Sequence, residues 1–194
     1  MAGSNAAMAT LVALWLPILV SAVFVFVVSS VIHMALPIHK GDFKKLPDED
    51  RILDAMRGTV PPGQYMFPCP MSMKDWGSPE MQAKLARGPV GSIVVKAGNS
   101  INMGKSLGQW FAFCLVIGVF VAYLTGLALP WGAEGMRVFR IAGTVAVLGH
   151  AFSCVHDSIW KGISWVTTLK FVFDGLIYGV VTGAAFAWLW PAAA

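Results

Sequence analysis

The chain has 194 residues, of which 57% are hydrophobic and only 12% are charged. Its mean hydropathy of +0.68 lies outside the range of soluble domains, so the composition excludes an ordinary water-soluble protein. The formal net charge is +4, but no stripe of basic residues with interleaved aromatics is present. We therefore predict no nucleic-acid partner.

Four stretches are long and apolar enough to cross a bilayer, whose hydrocarbon core of about 30 Å takes about 20 helical residues. Trp or Tyr lies near at least one end of each stretch, as interfacial anchors do. We predict an all-α integral membrane protein, a bundle of four transmembrane helices with a polar insertion of roughly 70 residues between helices 1 and 2. The predicted helices occupy residues 1–36, 107–129, 138–160 and 165–190, the insertion is 37–106, and residues 191–194 form a tail.

The insertion, residues 37–106, is expected to form a small cap with two short helices. Acidic residues in Pro47–Asp50 mark the start of the first helix, because carboxylates are favourable near a helix N-terminus. Ser78 is the predicted N-cap of the second helix, which ends before Gly88. Residues Ser92–Lys96 form a brief strand-like run.

The distribution of basic residues predicts the orientation in the membrane. Ten of the 14 Lys and Arg residues lie in the insertion. The positive-inside rule therefore places residues 37–106 in the cytoplasm and both termini outside, and the membrane we expect is the bacterial inner (plasma) membrane. Lys161 agrees with this orientation, whereas Arg137 and Arg140 lie on the opposite side.

His150 in the third stretch and Asp174 in the fourth are ionisable groups inside predicted spans. Counted from the helix ends at 1.5 Å per residue, they lie roughly 15 Å and roughly 12 Å deep on antiparallel helices, so we predict that they meet. By the same count Asp157 and Lys170 face each other about one turn inside the interface, and Tyr178 continues the ridge of the fourth helix. The two alternatives are a proton or ion relay and a polar clasp that fixes helix register.

Small residues recur at four-residue spacing in two predicted spans. Such seams allow close backbone approach between membrane helices. We predict that both are helix-packing surfaces, and that together they offer more packing surface than a monomer needs. Their members are Gly118, Ala122 and Gly126 in the second span, and Gly175, Gly179 and Gly183 in the fourth.

A metal or haem site is a further hypothesis. His33 near the inner end of the first span and His156 near the inner end of the third are expected at similar depth, with His39 just beyond and Asp157 adjacent. Imidazole and carboxylate are common ligands of transition metals, and paired imidazoles ligate b-type haem. The alternative is that these histidines contact lipid headgroups.

No arrangement typical of a nucleophilic, metalloprotease or glycosidase site is present in the sequence, so we predict no catalytic residues and do not expect an enzyme. The leading hypothesis is a non-catalytic structural or assembly component of a membrane complex or homo-oligomer. The first alternative is a small proton-linked transporter or channel that uses His150 and Asp174. The second is a membrane redox protein that binds haem or metal, with the cofactor itself unknown.

Overall fold

The computed structural model describes residues 11–193, which form two compact units. Within the described residues, the membrane unit comprises 11–42, 103–155 and 164–193. The insertion unit comprises residues 43–102 and 156–163. In chain order the elements are α1 Trp15–Ser30, α2 Glu49–Met56, β1 Gly63–Phe67, α3 Pro79–Arg87, β2 Gly91–Val95, α4 Met103–Ala128, α5 Gly135–Ala151, α6 Val155–Lys161 and α7 Trp165–Leu189.

The prediction of four long apolar helices is confirmed. Segments 15–35, 103–128, 135–161 and 165–189 are each long and apolar enough to span a membrane. The chain is therefore a small multi-span integral membrane protein in contact with the lipid bilayer. Residues 1–10, which the sequence assigns to the first span, lie outside the described residues.

Two helices differ in detail from the prediction. α4 begins at Met103 rather than at residue 107, because a helix can start in polar sequence before it enters the hydrocarbon. The third segment, predicted as one helix over 138–160, starts at Gly135 and is interrupted by a tight turn at Phe152–Cys154. This turn separates α5 from α6.

The membrane unit is held together by small residues at its closest helix contact, between α5 and α7. A Cβ atom built on Gly175 would lie 2.5 Å from the Cα atom of Ala151, and one on Gly183 would lie 2.8 Å from the carbonyl oxygen of Phe139. Only glycine permits this approach, because real Cβ atoms essentially never come so close to backbone. The helices α1 and α4 complete the unit around a core that includes Leu14, Val25, Val121, Val138 and Phe186.

The insertion unit contains the two predicted short helices and a small sheet. Ser78 caps α3, and its Oγ accepts a hydrogen bond of 3.2 Å from the N–H of Met81. The strand-like run is β2, which pairs with β1 in an antiparallel sheet with Tyr65 opposite Ile93. The sequence did not predict β1, because prolines on both sides of residues 63–67 indicated only an extended, turning path.

Candidate functional site

The end of the first span brings two histidines into contact. After α1 the chain makes a wide π-helical turn at Val31–Ala35, the kind of irregularity that is frequent at functional sites. Leu36 is extended, as expected before a proline, and Pro37–His39 forms a tight turn. The chain therefore folds back on itself, and the ring centroids of His33 and His39 lie 4.3 Å apart.

The segment after this turn lies along α7 and forms two side-chain pairs with it. Nε2 of His39 lies 2.9 Å from Oδ2 of Asp174, and Nζ of Lys170 donates to Oδ1 of Asp42 at 2.6 Å. The spacings match, because the partners are three residues apart in the turn and four residues apart on the helix. Asp174 is only 1% exposed, so this carboxylate depends on the pairing.

His39 lies between two carboxylates. Its Nδ1 lies 2.6 Å from Oδ2 of Asp42, and its Nε2 lies 2.9 Å from Oδ2 of Asp174. The bond from Lys170 lowers the pKa of Asp42 below its ordinary value, and the bond from His39 lowers it further, against the opposing effect of burial. Asp42 is therefore a carboxylate at neutral pH, and its short contact with Nδ1 orients the ring of His39.

His33 completes a cluster with His39 and Asp174. Its Nε2 lies 3.6 Å from Oδ2 of Asp174 and 3.5 Å from the hydroxyl oxygen of Tyr178. One ligand atom from each of His33, His39 and Asp174 can be chosen so that all three atoms lie within 4.8 Å of one another. We refer to these three residues as the His–Asp cluster.

The predicted partner of Asp174 was wrong. Within residues 11–193, Asp174 bonds His39, and Nδ1 of His150 is buried without a hydrogen-bond partner. The depth count assumed a straight third helix, whereas His150 lies in the last turn of α5, just before the interruption. Its ring instead contacts aromatic side chains, with centroid distances of 5.5 Å to Tyr178, 5.8 Å to Phe113 and 5.9 Å to Trp110.

Asp157 and Lys170, the other predicted pair, each have a partner within their own unit. Lys170 bonds Asp42, and Oδ1 of Asp157 lies 2.6 Å from Nζ of Lys161 and 3.0 Å from Nε2 of His156. Asp157 and Lys161 are four residues apart on α6, so the helix already places them side by side and their pairing costs little additional conformational entropy.

His33 and His156, the predicted metal ligands, belong to different units. The group of potential ligands in the described residues that contains His33 also contains His39 and Asp174. The side chain of His156 is 61% exposed and paired with Asp157. A haem between His33 and His39 would need its porphyrin plane to pass between rings that are 4.3 Å apart, which leaves no gap.

The predicted glycine seams lie within the bundle. A Cβ on Gly118 would meet Cγ2 of Ile18 at 3.2 Å, and Ala122 beside it is fully buried. Gly126 is half-buried. In the fourth span Gly175 and Gly183 pack on α5 as described above, and Gly179 packs on Val147 of the same helix. These contacts are used inside a single chain.

A cavity of about 540 Å³ adjoins the cluster inside the membrane unit. We refer to it as the aromatic cavity, because its walls carry several aromatic rings besides those of His33 and His150. Asp174 also lines it, and Oδ1 of Asp174 has no hydrogen-bond partner in the described part of the chain. The rings on its walls are those of Trp110, Phe113, Phe171 and Tyr178.

Sequence reasoning missed Asp42 as a member of the site and gave His39 only a marginal place. The available signal was local, because His39 and Asp42 are three residues apart just after a proline-directed turn, where both side chains can point the same way. Their long-range partners on α7 carry no sequence signal of their own. No family model matches the chain, and no curated protein or solved structure is similar to it.

Proposed function

We propose that this membrane protein binds a divalent transition-metal ion at His33, His39 and Asp174. The observation that carries the proposal is the position of His39 between two carboxylates. A neutral imidazole can donate to only one of them, and the contact of Nδ1 with Asp42, at 2.6 Å, is the shorter. The lone pair of Nε2 then faces Oδ2 of Asp174, 2.9 Å away. Two acceptors at that distance repel each other unless a cation lies between them or beside them.

The charges of the surrounding groups favour such a cation. When the imidazoles of His33 and His39 are neutral, the site has one excess negative charge, because two carboxylates, Asp42 and Asp174, face a single ammonium group, Lys170. A buried uncompensated charge is costly, and either a proton on His39 or a bound metal ion compensates it. Metal binding therefore replaces a proton, which is the usual linkage at histidine sites.

The ligand spacing suits a metal ion. Nε2 of His33 lies 3.6 Å from Oδ2 of Asp174, and Nε2 of His39 lies 2.9 Å from it. Ligand atoms around a tetrahedral ion with bonds of about 2.1 Å are about 3.4 Å apart. Two imidazoles with one carboxylate favour zinc, iron, cobalt or nickel over magnesium or calcium, and three protein ligands leave a coordination position open.

Asp42 adds the outer partner that such sites usually have. A histidine ligand commonly donates its second N–H to a carboxylate, which holds the ring and makes it a stronger ligand. Asp42 is in turn held by Lys170. A chain from Lys170 through Asp42 to His39 therefore orients the cluster before any ion binds.

A second candidate function is a proton-linked transporter. A continuous series of ionisable side chains favours it: Lys170, Asp42, His39, Asp174 and His33 follow one another at 2.6 to 3.6 Å. This route replaces the sequence-based one, in which His150 was the partner of Asp174. Flux measured in proteoliposomes and abolished by Asp174→Asn, in protein that binds no metal, would favour this candidate.

The metal proposal is tested by titration of the purified full chain with Zn²⁺, using an affinity tag without histidine. We expect one tightly bound ion per chain, and much weaker binding of that ion in His33→Ala and in His39→Ala. His156→Ala is the matched control, because His156 is an exposed histidine that lies outside the cluster. Absence of binding, or equal loss in the control, would overturn the proposal.

A metal-free result would favour the non-catalytic role in a complex or homo-oligomer. The mass of the protein in detergent or nanodiscs tests that role independently of metal. As part of the proposal we keep the orientation with residues 37–106 in the cytoplasm, which the lysine and arginine distribution supports. Labelling of Cys69, an exposed cysteine in the insertion, from either side of sealed vesicles tests it.

A further inference from the structure

We propose that the aromatic cavity binds the ring of a long-chain quinol taken from the bilayer. This proposal goes beyond the metal site and does not rest on it. The cavity has a volume of about 540 Å³, within the range of small-molecule sites, and its lining is mostly apolar with a few polar groups.

The walls of the cavity favour a flat ring as the occupant. Trp110, Phe113, His150 and Tyr178 form one continuous group of rings, with neighbouring centroids 5.5 to 5.9 Å apart. Trp110 is fixed by its Nε1–H, which donates to Oγ of Ser29 at 2.8 Å. Aromatic side chains held in tilted and edge-on positions present faces and edges that suit another aromatic or quinoid ring.

Two unsatisfied polar atoms on the cavity wall define which polar groups the occupant must carry. Oδ1 of Asp174 and Nδ1 of His150 are buried, and neither has a hydrogen-bond partner in the described chain. Unpaired buried polar atoms are costly, so a ligand that pairs with them gains affinity. A quinol has two hydroxyl groups. One can donate a hydrogen bond to the carboxylate of Asp174, and the other can form a hydrogen bond with Nδ1 of His150.

Other lipid head groups fit these atoms less well. The carboxylate of Asp174 repels a fatty-acid carboxylate or a lipid phosphate. A choline group suits aromatic walls but has no N–H or O–H to donate to Asp174. A neutral ring with hydroxyl groups can pack against the aromatic walls and can also form hydrogen bonds with both polar atoms.

The route into the cavity leads from lipid. Met34 and Met103, which lie on its lining, are 79% and 67% exposed. Both belong to the ends of spanning segments, where the protein surface meets acyl chains and the interface. A ring can therefore enter beside them while its hydrocarbon tail stays in the membrane.

The test is equilibrium binding of reduced decylubiquinone to the full chain in nanodiscs, with the oxidised form, which has no O–H group, as the weaker-binding comparison. His150→Phe keeps a ring but removes Nδ1, so we expect the affinity for the quinol to fall about tenfold. His150→Asn returns a polar atom near the position of Nδ1 and is expected to restore affinity to within about threefold of wild type. Unchanged affinity in His150→Phe would overturn the proposal.

A second pair of variants keeps the test independent of His150. Ser153 lines the cavity, so Ser153→Trp should block it and abolish binding. Thr144→Trp is the matched control, since it adds the same side chain at an exposed position of α5 outside this cavity. Binding that survives Ser153→Trp, or preference for a choline compound over the quinol, would overturn the proposal.

Removal of metal separates the two proposals. Treatment with a chelator should leave quinol affinity unchanged, because the hydrogen bonds of the quinol with Asp174 and His150 do not need a metal ion. Quinol binding in protein that takes up no Zn²⁺ would refute the metal site alone. Zn²⁺ binding without quinol binding would refute the cavity proposal alone.

Discussion

Replacement of Asp42 by Asn tests whether the outer carboxylate supports the metal site. Asp42 accepts from His39 at 2.6 Å and contributes no ligand atom itself. The substitution keeps the size of the side chain but removes its charge, so the bond that orients His39 is weakened. Loss of such an outer partner typically lowers metal affinity 10- to 100-fold, or about 1.4 to 2.7 kcal/mol.

Competition with a chromophoric chelator measures this change in affinity for Zn²⁺. Lys170→Gln is the matched control, because it removes the other partner of Asp42 and leaves the bond to His39 in place. We expect Lys170→Gln to lower the affinity for Zn²⁺ less than Asp42→Asn does, because the loss of a bond that holds Asp42 is partly offset by the removal of a nearby positive charge. Normal Zn²⁺ binding by Asp42→Asn together with weak binding by Lys170→Gln would show that Asp42 does not support the site through His39.

Two further predictions concern stability and pH. Gly175→Ala should lower the free energy of unfolding by about 1 to 3 kcal/mol, because the added methyl group meets Ala151. Gly108→Ala is the control and should be neutral or stabilising, because its methyl group would enter open space. Both values are measured by unfolding in mixed micelles, and equal effects would contradict the close packing at Gly175. Hydrogen bonds from Ser72 lower the pKa of Asp75 below 3.8, so its stabilising effect is complete above pH 3.8 and is lost as pH falls through the lower folded-state value. Carboxyl NMR titration should show Ser72→Ala raising this pKa, and an unchanged value would contradict the assignment.

The features that sequence could predict are those set by local chemistry. The apolar length of each span, the Ser78 cap and the four-residue spacing of glycines are all read from neighbours in the chain. Asp174 could also be singled out, because a carboxylate inside a spanning segment needs a partner wherever that partner comes from.

The identity of that partner was not predictable in the same way. It depends on the turn at Pro37–His39, which folds the chain after α1 back along α7. It also depends on the interruption at Phe152–Cys154, which removes the straight helix that the depth count for His150 required. Both features interrupt regular helix. The positions of the side chains that follow such an interruption depend on tertiary contacts, which the local sequence does not specify.

X-ray absorption at the zinc edge of the Zn²⁺-loaded full chain tests the metal site most directly. We expect nitrogen and oxygen ligands at about 2.0 to 2.2 Å from the zinc ion, with scattering from two imidazole rings. One imidazole should disappear in His33→Ala and one in His39→Ala, while His156→Ala should retain both. A spectrum without imidazole, or one that changes only in His156→Ala, would contradict the account.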